Sequence, residues 1–234
     1  MKALILMTRI PIAGKTKTRL MEIFTGEQCA ELQRCFLKDL FKMLQKIREE
    51  VDVYVTYTPE NALNLIKDIL PVNLESFPQE GQNLGDRMDN AIQKLLQKGY
   101  SKVVLIGSDI PALQEEDIKK AYDILEDKDI CLGPTNDGGY YLVGMKKSFS
   151  EIFNDNLKWG KKSVFEKTVS IANSLGLTVG CTTKLTDIDE KSDIIDFMAK
   201  VKKGEFNGKL LPINTVDFIE NKWGKEGYDE RCIK

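Results

Sequence analysis

Acidic side chains stand at positions in this sequence where they could hold a divalent metal ion. Asp109 follows the apolar part of KVVLIGSDIPAL, Asp137 stands in DGGYYLVG, and Asp187 and Asp189 stand in TDIDE. The chain has no histidine, which excludes Ser-His-Asp and Cys-His catalysis and His-ligated metals. Any metal must then be held by oxygen, which favours Mg²⁺ or Mn²⁺. Such an ion could also touch substrate phosphates and neutralise charge on a leaving diphosphate.

A loop rich in cations could bind phosphates. Arg9, Lys15, Lys17 and Arg19 surround Gly14 in TRIPIAGKTKTRL. Backbone amides at a glycine turn, with lysine and arginine side chains, make a phosphate site. Solvated surface charge is the simpler alternative. A P-loop is a second alternative, but G-x-x-x-x-G-K-[ST] needs glycine at position 9.

The segment after Asp137 could approach a ligand closely. Gly138 and Gly139 carry no side chain, and Tyr140 and Tyr141 offer aromatic faces suited to a sugar or a base. The alternatives are that Asp137 only shapes a turn, since Asp-Gly is a strong turn signal, and that Tyr141 belongs to the core.

The elements that must position these residues alternate between strands and helices. Val103–Ile106 is apolar at every position, as expected of a strand buried on both faces. Asp109 lies just beyond its carboxyl end, where open α/β sheets bind ligands; the alternative is that Asp109 caps the next helix. The remaining strands are predicted at Lys2–Met7, Val51–Tyr57, Val72–Phe77, Asp129–Gly133, Tyr140–Met145 and Thr178–Cys181.

The helices are predicted from apolar periodicity. Their ranges are Glu27–Glu49, Pro59–Leu70, Leu84–Gln97, Glu115–Leu125, Lys161–Leu175, Ser192–Val201 and Thr215–Trp223. The strands at Asp129–Gly133 and Tyr140–Met145 are too close for a crossover helix, so one of them must be reversed. We therefore predict a three-layer α/β/α fold with a mostly parallel mixed sheet and one reversed strand.

Composition limits the function classes. The chain has 234 residues, 42% hydrophobic content, 30% charge and a formal net charge of −2, as in ordinary soluble proteins. No basic patch points to nucleic acid, and no apolar stretch is long enough to span a membrane. The N-terminus is too short for a signal sequence, and the five cysteines are scattered, as expected of reduced thiols. We expect a cytoplasmic protein.

With these segments in order, the chain resembles the nucleotide-diphospho-sugar transferase superfamily with the GT-A fold. The likeness is to its radical-SAM/selenodomain-associated branch, which is related to guanylyl- and cytidylyltransferases. The resemblance covers 1–201. It rests on R-x-P-x-x-G-x-x-K-T-R-L from Arg9, Q-x-L-G-x-R-M from Gln82, GSDIP from Gly107, GP at Gly133 with DGGYYLVG, Trp159, and DID from Asp187.

The resemblance implies a role for each matched position. Lys17, Asp109 and Asp137 would be catalytic, and Asp109 and Asp189 would hold Mg²⁺ or Mn²⁺. Nucleotide binding would involve Arg9, Gly14, Lys17, Arg19, Gln82, Gly85, Arg87 and Ser108. Substrate binding would involve Gly138, Gly139, Tyr140 and Trp159. The chain departs from the family at Arg9, where lysine is frequent, and at Trp159-Gly160-Lys161, which replaces Trp-Ser-Thr.

The resemblance predicts a metal-dependent transferase that binds a nucleotide sugar or a nucleoside triphosphate and a small-molecule acceptor. The first expectation is glycosyl transfer. The alternative is nucleotidyl transfer, in which a triphosphate and a phosphorylated acceptor give an NDP-linked product and diphosphate. A P-loop NTPase and a non-catalytic nucleotide-binding protein remain less favoured. Residues 1–201 are expected to form the transferase domain, and 202–234 an extension packed on or near it.

Overall fold

The computed structural model describes residues 1–153 and 163–224. In these ranges seven strands form one sheet in the order β3-β2-β1-β4-β6-β5-β7. Strand β6 is antiparallel to both neighbours, and every other pairing is parallel, which confirms the predicted single reversed strand. The strands are β1 Lys2–Arg9, β2 Asp52–Thr58, β3 Glu75–Pro78, β4 Lys102–Gly107, β5 Ile130–Pro134, β6 Tyr140–Met145 and β7 Val179–Cys181.

Helices cover both faces of the sheet, which gives the predicted three layers. The helices are α1 Gly26–Gln45, α2 Leu84–Gln97, α3 Glu115–Asp127, α4 Val164–Ser174, α5 Lys191–Lys202 and α6 Ile213–Trp223. Apolar residues of α1 and α3 pack in the core on one face, and those of α2 and α4 in the core on the other. Strand β4 lies between β1 and β6, and its alternate residues enter the two cores.

Some element boundaries differ from the sequence prediction. The helix predicted over Pro59–Leu70 is a short 3₁₀ helix, Glu60–Ile66. Helix α1 begins at Gly26, one residue before the predicted start, because Thr25 caps it. Thr25 Oγ1 accepts a hydrogen bond from the Gln28 amide at 3.2 Å, and Gln28 Oε1 accepts from the Thr25 amide at 2.8 Å. This reciprocal pair satisfies two backbone donors that the first helical turn leaves free.

The segment after residue 201 packs on the N-terminal part of the chain. Helices α5 and α6 share a buried cluster with Leu20, Phe24 and the first half of α1. The carboxylate of Asp39 on α1 caps the start of α6, since Asp39 Oδ1 accepts from the Asn214 amide at 3.1 Å and Asp39 Oδ2 from the Thr215 amide at 2.8 Å. The Asn214 and Thr215 side chains donate to the same carboxylate. We propose that residues 202–224 are an integral part of the same domain as the sheet.

Removing this cap is expected to loosen α6. Asp39 is 3% exposed, so Asp39→Ala leaves the buried donors of Thr215 and the partly buried donors of Asn214 without an acceptor. The expected cost is about 2–3 kcal/mol of unfolding free energy. Chemical denaturation would measure the loss. Asp123→Ala, at an exposed position of α3, is the matched control and should stay within about 0.5 kcal/mol of wild type. Equal effects of the two substitutions would contradict the proposed anchoring.

Candidate active site

A cavity of about 470 Å³ opens at the carboxyl ends of the parallel strands, the edge at which α/β sheets bind ligands. Strand ends at Thr8–Arg9 and Gly107–Asp109 form its floor. The loop Lys15–Arg19 and the segments around Asp137 and Asp187 form its walls. The sequence-predicted residues on its surface are Arg9, Lys17, Arg19, Arg87, Ser108, Asp109, Asp137, Gly139, Tyr140 and Asp189.

A buried ammonium group lies at the centre of the site. Lys17 Nζ is 3.0 Å from Asp109 Oδ1 and 2.7 Å from Asp189 Oδ1, and it donates to the Ile188 carbonyl at 2.7 Å. The Lys17 side chain is 3% exposed, whereas those of Asp109 and Asp189 are 44% and 39% exposed. Burial disfavours the charged lysine, but the two carboxylates outweigh it and raise the Lys17 pKa. Lys17 is therefore charged, and its single positive charge is shared between the two carboxylates.

The loop geometry directs Lys17 inward. Thr16 is buried, and its Oγ1 donates to the Ile10 carbonyl at 3.2 Å and accepts from the Ile12 amide at 3.0 Å, which folds the loop back on itself. Lys17 has left-handed backbone angles, φ 52° and ψ 43°, and precedes the 3₁₀ helix Thr18–Glu22. A left-handed non-glycine residue is strained and persists where its surroundings enforce it. Here the ion pairs of the Lys17 side chain with Asp109 and Asp189 hold the backbone in this conformation.

Gly14 shapes this loop without reaching the cavity wall. Its φ is +71°, and a Cβ at Gly26 would lie 2.8 Å from the Gly14 nitrogen. The loop therefore packs directly on the start of α1, where only glycine fits. The P-loop alternative needs a helix that begins at Lys15-Thr16. The structure instead has the short 3₁₀ helix there and starts α1 at Gly26.

The TDIDE segment reaches the cavity because it and the residue before it run along the ends of two strands. The Leu185 amide donates to the Pro134 carbonyl at 3.1 Å, and the Ile188 amide donates to the Asp109 carbonyl at 3.0 Å. The Asp193 carboxylate then accepts from the Asp189 amide at 2.9 Å and from the Glu190 amide at 2.7 Å, which begins α5. These contacts hold Asp189 beside Asp109, although 80 residues of sequence separate them.

The carboxyl group of Asp187, two residues before Asp189, has a raised pKa. Burial, followed by the charges of Asp137 and Asp189, raises the pKa of Asp187 to about 7. Asp137 itself closes a turn, because its Oδ1 accepts from the Gly139 amide at 2.9 Å and from the Thr135 hydroxyl. Asp137 therefore shapes a turn through the contacts of Oδ1. It also lies on the cavity wall.

The structure separates several predicted residues from the cavity. Gly14, Gly85 and Gly138 are not on its wall; Gly85 is buried in the first turn of α2. Gln82 is exposed, and its amide donates to the Asp86 carboxylate at 2.9 Å beside the start of α2. Trp159 lies outside the described residues. The roles assigned to these positions stay predictions.

Two glutamines lie on the cavity wall that were not predicted from the sequence. Gln33 lies on the buried stripe of α1 that continues through Leu37, Leu40 and Leu44, so a polar residue in an apolar stripe was the available signal. Gln79 follows β3, and its Nε2 donates to the Thr8 carbonyl at 2.9 Å and the Thr56 carbonyl at 3.3 Å. No sequence pattern marks Gln79.

Comparison with known proteins places the chain in a family. The sequence profile described as "Uncharacterized protein conserved in bacteria (DUF2064)" matches residues 40–161, more than half of the chain. The chain belongs to the DUF2064 family. A Desulfovibrio desulfuricans G20 protein, assigned as a nucleotide-diphospho-sugar transferase, has a crystal structure that matches this DUF2064 member with a TM-score of 0.87. The two sequences are 31% identical, with 97% of this chain and 98% of that chain covered.

Two archaeal relatives are named 2-phospho-L-lactate guanylyltransferase. The Methanopyrus kandleri enzyme is 28% identical over 197 residues, which cover 80% of this chain and 88% of the relative. The Methanocaldococcus jannaschii enzyme is 26% identical over 139 residues, and the match spans only 58% of either chain. These relatives confirm the predicted superfamily and the prediction that this DUF2064 member is a transferase. In the described ranges, none of its helices is long and apolar enough to cross a membrane.

Proposed function

We propose that this DUF2064 member is a metal-dependent nucleotidyltransferase, which joins the nucleotidyl group of a nucleoside triphosphate to a phosphorylated small molecule and releases diphosphate. The observation that carries the proposal is the buried Lys17 ammonium between Asp109 and Asp189 at the ligand edge of the sheet. A cation and two carboxylates at one point suit a reaction that handles phosphate oxygens and a divalent ion together.

Further cations around Lys17 support binding of two anionic substrates. Arg9, Lys15 and Arg19 are exposed on the cavity wall. Arg87 donates its Nε hydrogen to the Gly81 carbonyl at 3.2 Å, which holds its guanidinium in place, and Arg87 also lies on the cavity wall. Arginine can grip two phosphate oxygens at once. A triphosphate and a phosphorylated acceptor together supply enough negative charge to use all of these groups.

The residues present fit a divalent ion of the magnesium class. Asp109 and Asp189 lie side by side, since the Oδ1 atom of each is within 3.0 Å of Lys17 Nζ. Each side chain is about two-fifths exposed, so both carboxylates remain accessible to an ion beside the lysine. No group of three or more acidic or cysteine side chains forms a metal cage among residues 1–153 and 163–224, and Mg²⁺ usually needs only one or two carboxylates with phosphates and water. Asp109 and Asp189 would hold the ion, which would neutralise charge on the leaving diphosphate.

The proposed reaction forms one P–O bond and breaks another. A phosphate oxygen of the acceptor attacks the α-phosphorus of the triphosphate, the bond from that phosphorus to the bridging oxygen breaks, and diphosphate leaves with the electron pair. The acceptor oxygen is already ionised at neutral pH, so no side chain has to remove a proton. Positioning and electrostatic stabilisation supply most of the rate in such reactions, which is compatible with a chain that lacks histidine.

The relatives favour nucleotidyl transfer over the glycosyl transfer that the sequence analysis placed first. The two archaeal proteins are named as guanylyltransferases, and they cover up to 80% of this chain. Their name makes GTP and 2-phospho-L-lactate the first donor and acceptor to test, with other phosphorylated hydroxy acids as further acceptors. We propose GTP as the donor on that ground.

The test is diphosphate release from a panel of the four nucleoside triphosphates, each with a set of phosphorylated acceptors and Mg²⁺ or Mn²⁺. We expect release with at least one pair, dependent on both the acceptor and the metal, and an NDP-linked product by mass spectrometry. The same set incubated with nucleotide sugars separates glycosyl transfer, which would release a nucleoside diphosphate. Transfer from a nucleotide sugar alone, or triphosphate hydrolysis without an acceptor, would contradict the proposal.

A further inference from the structure

Gln33 is a buried polar residue at the inner wall of the cavity, and the sequence gives it no role. It is 1% exposed and lies on the face of α1 that is otherwise packed in the apolar core. Burying an amide in such a place costs free energy unless its groups are hydrogen-bonded. The contacts of its two polar atoms therefore show what the residue does.

The amide nitrogen of Gln33 starts a hydrogen-bond chain that ends on a proposed metal ligand. Gln33 Nε2 donates to Ser108 Oγ at 2.9 Å, and Ser108 Oγ donates to Asp109 Oδ1 at 3.4 Å. An ionised carboxylate can only accept, so the serine hydrogen points to Asp109 and its oxygen must receive a hydrogen from Gln33. Asp109 Oδ1 is thus oriented by Ser108 as well as by Lys17, which lies 3.0 Å away.

The other polar atom of Gln33 has no partner. Oε1 is buried, and no hydrogen-bond donor reaches it from the part of the chain that the structure describes. An unpaired buried acceptor costs about 1–3 kcal/mol, and such groups in native proteins call for an explanation, such as an ordered water or an ion. Because Gln33 lines the cavity, the missing donor can arrive with the ligand.

We infer that Gln33 is a positioning residue for the metal site, an inference that rests on the proposed function. Through Ser108 it orients the Asp109 carboxylate that would hold the ion. Its free Oε1 is the acceptor for a water molecule at the inner end of the cavity, and Mg²⁺ sites usually retain several waters. Outer partners of this kind change metal affinity by about 10- to 100-fold when they are removed.

The test measures metal binding and stability separately. Free Mn²⁺ is followed by electron paramagnetic resonance in the presence of a non-hydrolysable GTP analogue, and the melting temperature is taken without ligands. Gln33→Met keeps the side-chain length but loses both polar atoms. We expect its Mn²⁺ affinity to fall about 10-fold or more, while its melting temperature stays equal or rises because an unpaired buried oxygen has gone. Gln45→Met, exposed on the same helix, should change neither quantity.

Ser108→Ala tests whether the effect passes through the chain. Because Gln33 and Ser108 act on the same oxygen of Asp109, the double variant should lose no more Mn²⁺ affinity than the weaker-binding single variant. Unchanged Mn²⁺ binding by Gln33→Met would overturn the inference alone. Additive losses, or a fall in melting temperature that parallels the loss of binding, would reduce Gln33 to a packing role. Wild-type protein that binds no Mn²⁺ in the presence of the GTP analogue would overturn both the inference and the metal dependence proposed above.

Discussion

Replacing Lys17 by methionine is expected to lower the rate of nucleotidyl transfer about 1,000-fold. The ammonium group is the one buried cation that the described cavity wall directs at Asp109 and Asp189. Removing a charge that stabilises a phosphoryl-type transition state costs about 10³–10⁵ in comparable enzymes. Methionine keeps the unbranched side chain except for its terminal ammonium group, so the loss would report charge more than shape. Steady-state diphosphate release with saturating substrates measures it.

Lys15→Met is the matched comparison in the same loop. Lys15 is an exposed cation on the cavity wall, so we expect it to weaken triphosphate binding with a KM increase of about 10-fold or less and a kcat near wild type. A P-loop enzyme would show the opposite order, since Lys15 would then be its essential lysine. Comparable kcat values for Lys17→Met and wild type would contradict a catalytic role for Lys17.

The stability of Lys17→Met separates catalysis from folding. The substitution leaves Asp109 and Asp189 unpaired, but both carboxylates are about two-fifths exposed and water screens their repulsion. We therefore expect a loss of only about 1–2 kcal/mol in unfolding free energy, well below the cost of breaking a fully buried pair. An inactive variant that remains folded by circular dichroism would exclude misfolding as the cause.

Asp109→Asn is expected to abolish the response to metal and to lower kcat by about 100- to 1,000-fold. Asparagine preserves the size of the side chain but removes the negative charge that a divalent ion requires. Asp189 and the Ile188 carbonyl still hold Lys17, so the lysine remains in place and the loss would report the metal. Titrating Mg²⁺ against the transfer rate of wild type and variant makes the comparison.

Asp137→Asn supplies the control for this experiment. Asp137 Oδ1 is engaged with the Gly139 amide and the Thr135 hydroxyl, and an asparagine side-chain oxygen can accept the amide hydrogen in the same turn. We expect a reduction in rate with an unchanged Mg²⁺ requirement, because Asp137 is predicted to act in catalysis and not to hold the metal. A normal Mg²⁺ response of Asp109→Asn would contradict metal binding by Asp109. A lost Mg²⁺ response of Asp137→Asn would indicate that Asp137 holds the metal.

Local sequence patterns are sufficient to predict the fold class and most of the charged side chains that line the cavity. Unbroken apolar runs such as Val103–Ile106 identify buried strands, and the short interval between Gly133 and Tyr140 forces β6 to run backwards. Because the carboxyl ends of parallel strands meet at one edge, Arg9 and Asp109 are expected at the same edge from the order of strands alone. These inferences use only local periodicity and chain length.

Which charges meet depends instead on long-range packing. Asp189 reaches Asp109 because the TDIDE segment lies along the ends of β5 and β4 and then starts α5, and no local pattern encodes that path. No local sequence feature shows which cation of the loop is buried. The burial of these cations differs because the left-handed backbone at Lys17 turns one side chain inward while Lys15 and Arg19 remain exposed. Contacts between residues distant in sequence set both outcomes, and with them the centre of the site.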